Sequence, residues 1–113
     1  LELPAGLVGD QTEGEDSSYA AVRELEEETG YTADAMTTLG DFYSSPGMVS
    51  ESFTLMRATG LRKVGEGGGV DDENIIVHRV PLDGVDAFVD AKRKEGCGID
   101  VKLLLLLVAN WLR

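Results

Sequence analysis

Apolar positions along the 113 residues switch between a helical and a strand period. Ala21, Val22 and Leu25 recur three and four apart, with Ser18 on the same arc, so a helix should bury that face and run to about Thr29. Asp16 or Ser17 can cap its start, and Gly30 stops it. Segments near 35–44, 52–59 and 74–80 have strand character; in the last, Ile75 and Val77 alternate with Ile76, His78 and Val80. A helical period returns at about 84–95 through Val85, Phe88 and Val89, and again from Asp100, a capping residue, to Leu112. The opening LELPAG reads as the end of a strand turning at Pro4 and Gly6, followed by a loop over residues 7–15.

This order of strand, helix, several strands and two helices predicts an α/β (α+β) fold, an α/β/α sandwich with helices covering a mixed sheet. The length suits a single domain over residues 1–113. A chain that starts at the end of a strand is expected to have strands before it, so the N-terminal strands of the domain are expected to be missing here. The Gly65–Gly69 run reads as a hinge or as a plain flexible connection, and lacks the Gly-Lys-Ser/Thr ending of a phosphate-cradling loop. The final helix is apolar all round, from Leu103 to Leu107 and at Trp111, which predicts burial on more than one side.

Charge narrows the function. With 10 basic and 21 acidic residues the net charge is −11, which argues against a nucleic-acid backbone as partner. An anionic substrate would need metal ions to screen it from this protein. One cysteine, Cys97, cannot form an internal disulfide, so a reducing cytoplasm is expected. No membrane partner is expected, because Leu103–Val108 is far shorter than the roughly 20 residues of a spanning helix.

The acids are concentrated. RELEEETG, Arg23–Gly30, holds four carboxylates in five consecutive positions. At about 100° per residue, Glu24, Glu27 and Glu28 share one arc and Glu26 points away. Like charges at this spacing cost only about 0.2–0.5 kcal/mol per exposed pair, so a solvated face is physically acceptable. A turn of carboxylates on a rigid helix also suits a hard divalent cation, which takes several oxygen ligands.

The residues upstream separate these readings. Glu15, seven intervening residues, then Arg23-Glu24-Leu25-x-Glu27-Glu28-x-Gly30-Tyr31 resembles the Nudix hydrolase signature, Gly-x5-Glu-x7-Arg-Glu-U-x-Glu-Glu-x-Gly-U with U a bulky apolar residue. One departure stands out: eight residues, not five, separate Gly6 from Glu15. LELPAGLV before this box, Ser45-Pro46-Gly47 with Glu51 after it, and Asp72-Glu73-Asn74-Ile75-Ile76-Val77-His78 resemble the ADP-ribose and nucleoside-diphosphate-sugar pyrophosphatase branch.

The resemblance implies hydrolysis of a diphosphate bridge by water with Mg²⁺, or Mn²⁺ in its place, most simply ADP-ribose to AMP and ribose 5-phosphate. By position it makes Glu24 and Glu28 metal ligands, Glu27 a ligand or the holder of a metal-bound water, and the Ala5 carbonyl a further ligand. Gly6, Glu15, Arg23 and Gly30 become structural parts of the motif, with a Glu15–Arg23 ion pair pinning loop to helix. Glu73 takes another metal-ligand position and Asp71 the position of the general base, with Asp72 and Glu51 as alternatives. Ser45, Pro46 and Gly47 fall where substrate binds. A homodimer is common among such enzymes, and ordinary core is the other reading of the apolar last helix. The rivals are a catalytically idle Nudix-fold module that binds nucleotides and an acidic Ca²⁺ buffer; the intact box opposes the first, and the absence of a Ca²⁺-loop spacing opposes the second. His78 and Cys97 read as structural.

Overall fold

The structure, a computed structural model, describes residues 1–6, 17–70 and 73–111, the last three in backbone alone. It divides into two compact units, Ala5–Ile76 and Leu1–Pro4 with Val77–Arg113.

The first unit opens with helix α1 (Ser17–Thr29), followed by β1 (Tyr31–Thr32), β2 (Ala35–Tyr43), β3 (Ser52–Thr59) and β4 (Arg62–Lys63). Strands β2 and β3 form an antiparallel hairpin from Ala35↔Thr59 to Tyr43↔Ser52, with Leu39 left out of the ladder between Thr38 and Gly40. Such a bulge bends the strand and sharpens its twist. Phe42 lies opposite Phe53, their ring centroids 6.0 Å apart, and the Thr54 hydroxyl donates to Asp41 at 2.6 Å. These cross-strand pairs fix the register. At the open end, β1 pairs with β4 through Tyr31↔Lys63 and Thr32↔Arg62. The α/β class is as expected, but the described strands pair as two antiparallel two-stranded sheets in place of one mixed sheet.

Residues 74–80 are not a strand. Their alternation favours one, yet a strand exists only as part of a ladder, and no described segment pairs with them.

Helix α1 ends as its sequence predicts. Gly30 takes φ +79° as the residue after the last helical turn, a conformation that costs other residues more. The run read as a hinge instead closes this end of the helix. The amides of Gly68 and Gly69 donate to the carbonyls of Glu28 and Glu27, both at 2.8 Å, and Val64 donates to Gly30 at 2.7 Å. The last carbonyls of a helix have no partner within it, and this loop supplies one.

In the second unit a single 3-10 turn, Leu82–Gly84, leads into α2 (Val85–Lys94). A second, Val101–Leu103, leads into α3 (Leu104–Trp111), with Asp100 as its cap: the carboxylate accepts from the Lys102 amide at 2.7 Å. Val85, Val89 and Leu107 form the core, with Leu1, Val80, Ile99 and Leu106 packed against it. Over its described side chains the last helix is therefore one-sided, contrary to expectation, while the Trp111 side chain lies outside them. Leu103 and Leu107 are buried one turn apart while Leu104, Leu105 and Val108 are exposed, because α2 covers only one stripe. No helix among the described residues is long and apolar enough to cross a membrane.

Candidate active site on the acidic face of helix α1

The buried line of α1 is not the apolar arc. Ala20 and Glu24 are its buried residues, whereas Ala21, Val22 and Leu25 are half-buried. Taking Glu24 as zero and about 100° per residue, Ala20 falls at about −40°, between Glu27 and Glu24. The acidic arc itself faces inward, while Glu26, on the other side, is exposed.

Close approach of backbone explains how carboxylates come to be enclosed. A Cβ placed on Gly6 would overlap the Glu24 carboxyl group, so only glycine lets the chain pass so near. Beside it, the Ala5 amide donates to Glu28 Oε2 at 3.0 Å. The segment before the box glycine is thus bonded to the helix through the Ala5 N–H.

Arg23 holds two of the three inward carboxylates. One Nη donates to Glu24 Oε1 at 3.1 Å and to Glu27 Oε2 at 3.4 Å. All three side chains are largely enclosed, with 13% of Arg23, 12% of Glu24 and 20% of Glu27 exposed. Burial pushes the Glu24 carboxyl above the ordinary glutamate range; Arg23 opposes this by charge and hydrogen bond, while the charges of Glu27 and Glu73 add to it.

Glu73 is exposed and its Oε1 accepts from the Val70 amide at 2.9 Å. Ser45, Pro46 and Gly47 lie in the exposed turn between β2 and β3, where the amides of Met48 and Val49 donate to the Ser45 carbonyl at 3.0 and 2.9 Å. Pro46 and Gly47 line a hollow of about 440 Å³ with Tyr43, Met48, Val49 and Ser50. Glu51, at the foot of that turn, accepts from the Ser44 amide through its carbonyl at 3.3 Å, and its side chain is exposed. Glu15 and Asp71, with Asp72, lie outside the described residues, so the Glu15–Arg23 pair and the position of the base do too. His78 meets Phe88 in the second unit with its ring tilted, 5.1 Å between ring centroids, and Cys97 is exposed there.

The donor set fits a hard divalent cation in its chemistry, since Glu24, Glu27, Glu28 and Glu73 offer only carboxylate oxygens. Among the described residues, no three acidic, histidine or cysteine side chains converge tightly enough to enclose one. The contacts of Arg23 and Ala5 occupy the carboxylates instead. Sequence reasoning missed the glycine loop's bonds to α1 and the Val70–Glu73 bond; repeated glycines were the available signal, but their contacts are tertiary.

Comparison with known proteins identifies the family. A family model described as the NUDIX domain matches residues 1–96. The chain is 39% identical over 93 residues to an ADP-ribose pyrophosphatase of Bacillus subtilis, covering 81% of this chain and 49% of that protein. It is 39% identical over 94 residues to the methanol dehydrogenase activator of Bacillus methanolicus, covering 82% and 49%. It is 35% identical over 111 residues to a GDP-mannose pyrophosphatase of Cronobacter sakazakii, covering 95% and 53%. The chain spans about half the length of these relatives. With the box helix, its glycine and its inward glutamates in place, the chain belongs to the Nudix family.

Proposed function

We infer that the protein hydrolyses the diphosphate linkage of a nucleoside diphosphate derivative, with ADP-ribose, cleaved to AMP and ribose 5-phosphate, as the leading substrate. The observation that carries this reading is the inward turn of α1, which encloses Glu24 and Glu27 and sets Gly6 against the Glu24 carboxyl group. A helix with solvated acids would place its carboxylates outward, as Glu26 is placed.

In this reading Glu24, Glu28 and Glu73 would hold the cation, with the Ala5 carbonyl as a further donor and Glu27 as ligand or as holder of a bound water. Bound Mg²⁺, or Mn²⁺, screens the two phosphates and makes water easier to deprotonate. Arg23 keeps Glu24 and Glu27 in one orientation. Asp71 takes the proton from the attacking water, and Glu51 is the alternative base. The turn at Ser45, Pro46 and Gly47 contacts the substrate beyond the diphosphate. The protein acts in the cytoplasm, as a homodimer.

A second reading keeps the chemistry and changes the substrate to another nucleoside diphosphate sugar, favoured by the likeness to GDP-mannose pyrophosphatase. The deciding assay incubates the protein and Mg²⁺ with ADP-ribose, GDP-mannose and dinucleotides, and detects phosphorylated products. ADP-ribose should give the highest kcat/KM. The Glu28→Gln variant should lose more than the roughly 10–100-fold typical of a supporting residue around a metal. Product formation that is absent from the parent, or equal in the variant, would return the chain to the idle nucleotide-binding reading.

A further inference from the structure

Residues 74–80 alternate like a strand yet belong to no ladder among the described residues. No hydrogen bond joins the backbone of residues 74–78 to the backbone of another described residue. Ile76 is 74% exposed and Val77 37%, so β-branched side chains stand open beside amides that have no ladder. A stretch with both features is a template for pairing with another strand. Its two ends are tied down: Glu73 Oε1 accepts from the Val70 amide at 2.9 Å, and Val80 packs against the core of Val85, Val89 and Leu107.

The order of the residues says what the neighbour is. Glu73-Asn74-Ile75-Ile76-Val77-His78-Arg79 is complementary to itself when one copy is reversed. Laid antiparallel on a second copy with Ile76 at the twofold axis, Ile75 meets Val77, Asn74 meets His78 and Glu73 meets Arg79, each pair occurring twice. Facing apolar pairs and opposite charges are what stabilise a ladder. Moving the axis by one residue to Val77 sets Ile75 against Arg79 and Glu73 against Pro81, which has no amide to give. The stretch holds one carboxylate and one guanidinium, whereas the whole chain carries −11. Two copies therefore meet here with their charges matched, where a chain of this charge otherwise sets acid against acid.

We propose that residues 73–79 are a self-recognising strand that pairs antiparallel with the same strand of a second copy. This gives a surface to the homodimer of the proposed reading and does not depend on the reaction.

The test is sedimentation equilibrium of the intact protein over about a hundred-fold range of concentration, because a short two-stranded ladder associates weakly. No divalent cation is added, so that nothing competes for Glu73. The mean mass should climb from one chain toward two. Arg79→Glu puts two like-charged pairs into the ladder and should raise the dissociation constant about ten-fold or more. Glu73→Arg should do the same, and the two changes together should return it to within roughly three-fold of the parent. A disulfide reads the register. In a Cys97→Ser background, Ile76→Cys faces its own copy across the axis, where Cα atoms lie about 4.5–5.5 Å apart, within disulfide reach. Mild oxidation should link these copies, whereas Asn74→Cys, about 14 Å from its counterpart along the ladder, should stay unlinked.

A protein that remains one chain at every concentration would overturn the proposal. So would a charge exchange that fails to restore pairing, or Asn74→Cys linking as readily as Ile76→Cys. If Arg79→Glu does not fold, as circular dichroism would show, the two cysteine variants decide the matter, since both lie at exposed positions. The substrate assay reads separately. A dimer that behaves in these ways without hydrolysis overturns the activity and leaves the strand, and hydrolysis by a single chain, or by a dimer indifferent to these changes, does the reverse.

Discussion

At the scale of single residues, Glu24 bears opposing demands. A cation site wants it ionised, whereas enclosure favours its neutral form, and burial wins over Arg23 in raising its pKa. The folded state therefore binds the Glu24 proton more tightly than the unfolded chain, and stability falls as pH rises from the ordinary value of 4.5 through the raised one. Glu24→Gln should accordingly melt at a higher temperature than the parent at pH 7. Its advantage should disappear once the pH drops below 4.5, where both states of the parent are protonated. A variant that melts lower at pH 7 would mean that the Arg23 pairing outweighs burial. Arg23 makes the complementary case. Arg23→Ala leaves Glu24 and Glu27 enclosed without their counter-charge, and should cost about 1–3 kcal/mol in chemical denaturation. A cost near zero would show that solvent reaches those carboxylates more freely than their enclosure implies.

Elements are governed by their ends as much as by their faces, and Asp100 shows it at the entry to α3. Its carboxylate accepts from the Lys102 amide at 2.7 Å and meets the Lys102 ammonium at 3.1 Å. The amide bond, first, and then the ammonium group hold its pKa below the ordinary aspartate range. The resulting stability is present above the ordinary aspartate pKa and is lost as pH falls through the lowered one. Asp100→Ala should cost about 1 kcal/mol at pH 7, and the gap to the parent should close in strong acid; denaturation curves at the two pH values decide it. This cap was legible in the sequence, as were the end of α1 at Gly30 and the span of β2 and β3, because each follows from neighbours in the chain. The face that α1 buries was not legible. A wheel sorts apolar from polar residues, and here Gly6, from a distant segment, approaches the polar arc. Residues 74–80 mislead for the same reason: alternation describes a strand, but only a neighbouring ladder makes one. In the site, spacing identified Glu24, Glu27 and Glu28 as one group, while the tie from the glycine loop to the end of α1 depends on backbone bonds across 40 or more positions of chain.

For the whole molecule the governing quantity is the net charge of −11. The same charges that repel a diphosphate attract the cations that would carry it in, so cation binding reflects a summed field as well as local ligands. Salt separates the two contributions. The screening length falls from about 30 Å at 0.01 M to about 10 Å at 0.1 M, which removes distant acids from the sum and leaves those on α1. Mn²⁺ affinity should therefore weaken several-fold over that range of NaCl. Glu26→Gln, an exposed change on the far side of α1, should weaken binding at 0.01 M and do little at 0.1 M. Glu28→Gln should weaken it at both, because its carboxylate belongs to the enclosed face. Titrations of these two variants at both salt concentrations distinguish a chain that gathers cations by bulk charge from one that selects them at a site. Equal salt dependence in both variants would place the binding in the general field and remove α1 from the chemistry.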